Sequence, residues 1–310
     1  MPTPLLDNRQ LGTDTARRNL LANGGFEIWQ RGTASVAIGN GVFLADRWHG
    51  GLVGTGAGTW AQDTTNVDVG SGAALAATIT VTTAAPLTNG MGVMQKLEDF
   101  KQLRGKQLTF SIRLKANSGT PNVQLTYFDG AWNLGPVTPI STTYTTYTYT
   151  FTPQASASSV YVGLWFETNA TFYLDNATLV VGSQAADYAP MHPADDLNRC
   201  LRYYQRWSRL SAAYLPGTGS SVSTTQALTI MPYQAPFPLT PSFTISAGTH
   251  WNVVNATFSA GTACTAFGVQ SALLECMLLV GTVASGLTAG AVASVQSNNN
   301  LAWMAMEYNP

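Results

Sequence analysis

Asn19-Leu-Leu-Ala-Asn-Gly-Gly-Phe-Glu-Ile-Trp29, continued by Ala45-Asp-Arg-Trp48, and Thr171-Phe-Tyr-Leu-Asp-Asn-Ala-Thr-Leu-Val-Val-Gly182 stand about 150 residues apart. Each reads as a strand, and together they read as the first and last strands of one β-sandwich. The chain between them supports that pairing. Ala76-Ala-Thr-Ile-Thr-Val-Thr82, Gln107-Leu-Thr-Phe-Ser-Ile-Arg-Leu-Lys115 and Asn122-Val-Gln-Leu-Thr-Tyr-Phe128 alternate apolar and polar residues with the period of a half-buried strand. Thr142–Thr152 alternates Tyr and Thr, two residue types that suit a pleated surface. Val160-Tyr-Val-Gly-Leu-Trp-Phe166 is apolar on both faces, as a central strand is. Gly, Asn and Pro turns separate these runs, which predicts two packed antiparallel sheets.

Beyond the sandwich, Pro190-Met-His-Pro193 interrupts the pattern, and Asp195-Asp196 then supplies acidic groups at a helix start. Leu197, Leu201 and Tyr204 share a helical face, so a helix is expected over 195–207 within a linker at 191–209. From Leu210 to Pro310 there is no Lys or Arg, and Glu275 and Glu307 are the only acids. An uncharged domain of this size, with strands at Leu228–Met231, Ser242–Ser246, Trp251–Phe258 and a closing one in Ala302–Tyr308, predicts a second β-sandwich-like domain that associates with its own copies. A merely neutral Thr/Ser surface is the alternative. The organisation expected is therefore an attachment arm at 1–18, a jelly roll at 19–190, the linker helix and a C-terminal β domain at 210–310.

Composition narrows the function classes. Charged residues make up 10% of the 310, far below the usual share of about 25%, while aromatic content is that of a folded chain. A net charge of −1 without a Lys/Arg cluster gives no footprint for nucleic acid. The longest apolar runs, such as Leu273–Val283, are too short to span a bilayer, so no membrane insertion is expected. Met1-Pro-Thr-Pro does not read as a signal peptide. Cys200, Cys264 and Cys276 are an odd set without metal spacing; Cys264 and Cys276 could meet across a sheet, or all three could be buried thiols.

No nucleophile elbow, zinc-type His spacing or phosphate-binding glycine loop in a strand–helix context is present. Glu27, Asp46, Glu98, Asp99, Asp129, Glu167 and Asp175 are scattered acids outside any catalytic motif, and no enzymatic activity is expected.

The Asn23-Gly-Gly-Phe-Glu27 start and the Asp175-containing last strand resemble the galactose-binding-like jelly roll of carbohydrate-binding modules. With Gln30-Arg-Gly-Thr33 and Leu197-Asn-Arg-Cys-Leu-Arg-Tyr-Tyr-Gln-Arg206 added, the chain resembles phage tail-fibre and virion-surface proteins. The resemblance covers residues 17–210 well and the rest loosely. It implies a virion-surface location, a homotrimer, an arm docked onto other virion proteins, and multivalent contact with host surface polysaccharide. A capsid decoration or head-fibre role is the alternative it leaves open. It also implies a structural Ca²⁺ held by Glu27 and Asp175, which would need backbone carbonyls to reach six to eight oxygens. Otherwise Glu27 pairs with Arg47 or Arg31 and Asp175 caps a turn. Sugar binding needs aromatic faces and polar groups beside them. The candidates are Trp132, on a loop with turn chemistry at Asp129-Gly130, together with Tyr127, Asp129 and Trp60.

Overall fold

A computed structural model describes residues 19–71, 73–84, 90–208, 217–255 and 261–308. The expected attachment arm, 1–18, lies outside the described residues. The chain divides into two units, Met1–Leu197 and Asn198–Pro310.

The first unit is a β-sandwich. Its strands are β1 (Val36–Ala37), β2 (Trp48–Leu52), β3 (Ala57–Asp63), β4 (Ala76–Thr83), β5 (Met91–Lys96), β6 (Leu108–Ala116), β7 (Asn122–Phe128), β8 (Trp132–Leu134), β9 (Thr138–Pro139), β10 (Thr145–Phe151), β11 (Tyr161–Phe166) and β12 (Thr171–Val181). One sheet has the order β1-β3-β4-β12-β6-β10; the other has β2-β5-β11-β7-β8, with β9 also on β7. Every pairing is antiparallel.

Strand β6 shows how the sequence period becomes the core. Leu108, Phe110, Ile112, Leu114 and Ala116 all point into the buried cluster, against Ile79, Phe172, Leu174 and Leu179 from the same sheet and Val123, Leu125, Val162 and Leu164 from the other. Burying each large side chain contributes about 1.5–3 kcal/mol. The alternate residues cross-link strands through hydroxyls, Thr109 to Thr150 and Ser111 to Thr178.

The 19–29 stretch docks on β12 as expected, but not as a regular strand. Asn23 and Phe26 take left-handed φ of 51° and 54°, which interrupts a ladder. Side-chain bonds replace it. The Asn19 amide donates to the Ala177 carbonyl, and its oxygen accepts from the Leu21 and Leu179 amides. The buried Asn23 side chain donates to the Ile28 and Asp46 carbonyls and accepts from the Ile28 amide. Gly24 follows because a Cβ there would stand 2.3 Å from the Ala177 oxygen.

The linker helix is shorter than expected. Helix α1 spans Pro193–Leu201, and Tyr204–Ser208 is a strand, β13. Pro193 suits a first turn, where its missing N–H is not needed, and the Asp195 and Asp196 amides donate to the His192 carbonyl. Leu197 is exposed, whereas Asp196, Cys200 and Leu201 are buried. The change at residue 204 is fixed by Gln205, fully buried, whose amide donates to the Leu201 and Ala235 carbonyls. Extended backbone there also lets 204–208 pair with 303–307.

In the second unit β13, β21 (Trp303–Glu307) and β16 (Ser242–Ile245) form a three-stranded sheet in that order. The other six strands, β14 (Thr218–Ser221), β15 (Gln226–Pro232), β19 (Cys276–Val283), β18 (Thr262–Ala272), β17 (Trp251–Asn255) and β20 (Val292–Ser297), close into a barrel in that order. The expected β domain is thus a barrel with a side sheet, and the closing Ala302–Tyr308 segment is the central strand of that sheet. Cys264 pairs with Val283 and Cys276 with Pro232, at opposite ends of β19. Seven residues of strand, roughly 23 Å, separate those ends, and all three cysteines are free.

Candidate functional site

The outward positions of the second sheet carry a continuous set of aromatic rings. Strand parity decides which residues these are. On β11, Val162, Leu164 and Phe166 enter the core, so Tyr161, Gly163 and Trp165 face outward. On β7, Val123 and Leu125 enter the core and Tyr127 packs against it, leaving Gln124, Thr126 and Phe128 outside. The registers Tyr161↔Phe128 and Phe128↔Trp132 then align three rings across adjacent strands.

Ring contacts run across the whole face. Trp132 lies 5.9 Å from Trp165 and 5.1 Å from Phe128, Phe128 lies 5.5 Å from Tyr161, Tyr161 lies 5.8 Å from His49, and His49 lies 5.2 Å from Phe43. All but Trp165 are half-buried, so the ladder is packed on its underside and open above. Glycine makes the floor. A Cβ on Gly92 would meet the Trp165 ring at 2.6 Å, and one on Gly51 would meet the Met94 methyl at 2.4 Å. Trp165 and Met94 therefore lie flat over strands that present no side chain of their own. Such a surface offers apolar faces with polar edges from Gln124 and His49, which suits stacking against the C–H faces of sugar rings.

Of the residues expected from the sequence, Trp132 belongs to this face. It stands on the short edge strand β8 rather than on a free loop tip. Tyr127 does not belong to it. Its ring points inward and stacks on Phe151 at 4.2 Å, and burial, with Asp129 and Tyr149 nearby, pushes its hydroxyl pKa up. Asp129 is also corrected to a scaffold role. Its carboxylate accepts from the Gln154 amide at 2.9 Å and from Asn133 Nδ2 at 3.0 Å. It pins the hairpin that presents Trp132. Trp60 is 1% exposed inside the core beside Trp29, so it cannot reach a ligand. Tyr161, His49 and Phe43 were not expected at a site; Phe128 was one available aromatic among several, and Trp165, read from the sequence as a core residue, is buried. Parity relative to Val123 and Leu125 is the signal that separates Phe128 from Tyr127.

Glu27 and Asp175 meet at one end of the sandwich, where β12 is interrupted between Asp175 and Thr178 and Asn176 takes φ 50°. Burial raises Asp175 to about 7, with the Asp68 and Glu27 charges adding to the rise. Asp175 accepts from the Asn176 amide at 2.8 Å and the Asp68 amide at 3.3 Å, and Glu27 from the Ala74 amide at 3.4 Å. Arg31 pairs with Asp46 rather than with Glu27, and Arg113 pairs with Asp68. A buried Asp175 that feels the charge of the exposed Glu27 suits a cation. Among the described residues no group of three or more His, Cys, Asp or Glu is arranged to hold one, so backbone carbonyls would have to supply most of the oxygens. Two clefts open at this end, of about 610 and 310 Å³. Asn176 and Tyr188 line both, and Glu27 and Asp196 line the larger.

No family model matches the sequence, and no curated protein is similar to it. Among solved structures, the chain is similar to a CBM22 xylan-binding domain from Paenibacillus barcinonensis (14% identity, 55% of this chain and 99% of that one, TM-score 0.38). It is also similar to a CBM61 module in complex with β-1,4-galactotriose (12%, 53% and 99%, TM-score 0.34). A third is the enzymatically active domain of tailspike protein 4 of bacteriophage CBA120 (12%, 53% and 21%, TM-score 0.35). At these identities and TM-scores the likeness assigns no function to this chain.

Proposed function

We propose that this protein is a non-enzymatic glycan-binding adhesin of a phage virion, a tail fibre that contacts host surface polysaccharide through the outer face of its second sheet. The observation that carries the reading is the ladder of rings from Phe43 to Trp132, each half-buried, with the buried Trp165 packed against its end. A set of half-buried rings without a covering element costs free energy in water unless something stacks on it.

Rings aligned in a row across adjacent strands suit an internal stretch of polysaccharide. One such site is weak, and copies held together on one particle raise the avidity. A homotrimer formed through the second unit supplies those copies. A structural Ca²⁺ at Glu27 and Asp175 belongs to the same proposal; it would neutralise the carboxylates and hold 19–29 against β12.

The test is attachment of the purified protein to host cells and to their extracted surface polysaccharide, with immunogold labelling of particles. Saturable binding, with label at the tail, supports the adhesin. Label spread over the capsid with no cell binding would instead favour the decoration role, and shortening of the polysaccharide on incubation would overturn the non-enzymatic reading.

A further inference from the structure

Positive charge collects at one end of the aromatic ladder. Lys96 is the outward residue at the end of β5, in register with Tyr161, and its ammonium lies 5.4 Å from the centre of that ring. The Arg47 guanidinium donates to the Lys96 carbonyl at 2.9 Å. Arg31 stands over the Phe43 ring at 4.7 Å while paired with Asp46. Three of the chain's fifteen basic residues thus border one half of the ladder, in a protein whose net charge is −1.

The strands themselves carry no acid on this face. Among the described residues, no outward strand position of this sheet from β2 to β8 is an Asp or Glu. The nearest carboxylates off the strands are Glu98, exposed and two residues past Lys96 or roughly 7 Å along the chain, and Asp46, already paired with Arg31. Glu167, one residue past β11, is roughly 20 Å from Tyr161, and burial pushes its pKa up. His49, within the ladder, shows the same field. Burial, then the charges of Arg47 and Lys96, lower its pKa below the ordinary 6.5.

We propose that this face selects an acidic polysaccharide, one whose sugar rings stack on Tyr161, Phe128 and Trp132 while a carboxylate on the chain is held by Lys96 beside Arg47. The selectivity rests on the glycan-binding reading above and adds the substrate class to it. Ring faces supply contact that any pyranose can make. The ammonium, already stacked on an aromatic ring, supplies a charge-assisted hydrogen bond that only an anionic sugar can accept.

The test uses alginate, polygalacturonate and hyaluronan, each beside its carboxyl-reduced form, titrated against the intact protein at low and physiological salt. The expected result is that at least one acid form binds about tenfold more tightly than its reduced partner, the preference shrinking as salt rises. Lys96→Met is expected to lower that preference to about twofold or less, and Lys96→Arg to keep most of it. Equal binding of acid and reduced forms would overturn acid selectivity and leave glycan binding standing. No binding of any polysaccharide would overturn both.

Discussion

Tyr127 and Phe128 are neighbours in sequence and face opposite sides of one sheet, the first stacked on Phe151 at 4.2 Å and the second edge-on to Trp132 at 5.1 Å. Their substitutions separate structure from binding. Tyr127→Ala is expected to destabilise the first unit by about 3 kcal/mol, as a large core truncation does. Phe128→Ala is expected to leave the melting temperature within a few degrees and to weaken polysaccharide binding about tenfold. Thermal unfolding and a binding titration on both variants check this; the opposite assignment would mean that the wrong face has been chosen.

Asn23 holds the entry segment by three side-chain bonds, two given to carbonyls and one taken from an amide. Asn23→Ala leaves those groups unpaired in the interior and puts alanine at a φ of 51°. A loss of about 3 kcal/mol is expected, read as a lower denaturation midpoint with an unchanged slope. Gly24→Ala is expected to be at least as damaging, because its methyl meets the Ala177 oxygen.

Asp46 sets a pH dependence. Burial raises it to about 6 from an ordinary 3.8, against the opposing pull of Arg31 and Gln30. The folded state then holds the proton more tightly than the unfolded one. This group's contribution is full below about pH 4 and is lost as pH rises to about 6, an effect on the order of 3 kcal/mol. The melting temperature is therefore expected to fall between pH 4 and pH 6 from this source, and Asp46→Asn to flatten that part of the curve. A wild-type curve rising through the window, unaltered by the substitution, would contradict the assignment.

Calcium is expected to raise the melting temperature by several degrees at millimolar concentration, and Glu27→Gln or Asp175→Asn to remove the rise. An identical melt in calcium and in chelator would exclude a structural ion at these two carboxylates.

Self-association is expected to run through the outer face of the barrel. Ile230 and Val292 are 58% and 56% exposed there, and Ile230 is in register with Leu278. Ile230→Lys should turn the trimer into monomers in sedimentation without changing the β-sheet circular dichroism. A monomeric wild-type protein would contradict the trimer itself.

Much of the sandwich was legible because period-two alternation is a local signal, and β6 shows it in nearly pure form. The linker was less legible. Leu197, Leu201 and Tyr204 keep helical spacing, yet the buried pairing of 204–208 with 303–307 overrides it, and a partner about a hundred residues away leaves no local trace. Barrel closure in the second unit is hidden for the same reason. The site was half legible. Trp132 carried turn chemistry beside it, but Phe128, Tyr161 and His49 come together only through strand register. Trp60 and Asp129 were attractive as types, and burial places both in structural roles.

Tryptophan fluorescence during titration with polysaccharide extracted from cells that the protein coats is the most direct test of the aromatic face. Trp132 is half-buried on it, 5.9 Å from Trp165, whereas Trp165 itself, Trp29, Trp48 and Trp60 are buried. A saturable change in emission that tracks binding and is lost in a folded Trp132→Ala variant is the predicted result. Binding that leaves the emission unchanged, or the same change in the variant, would contradict the claim that this face holds the glycan.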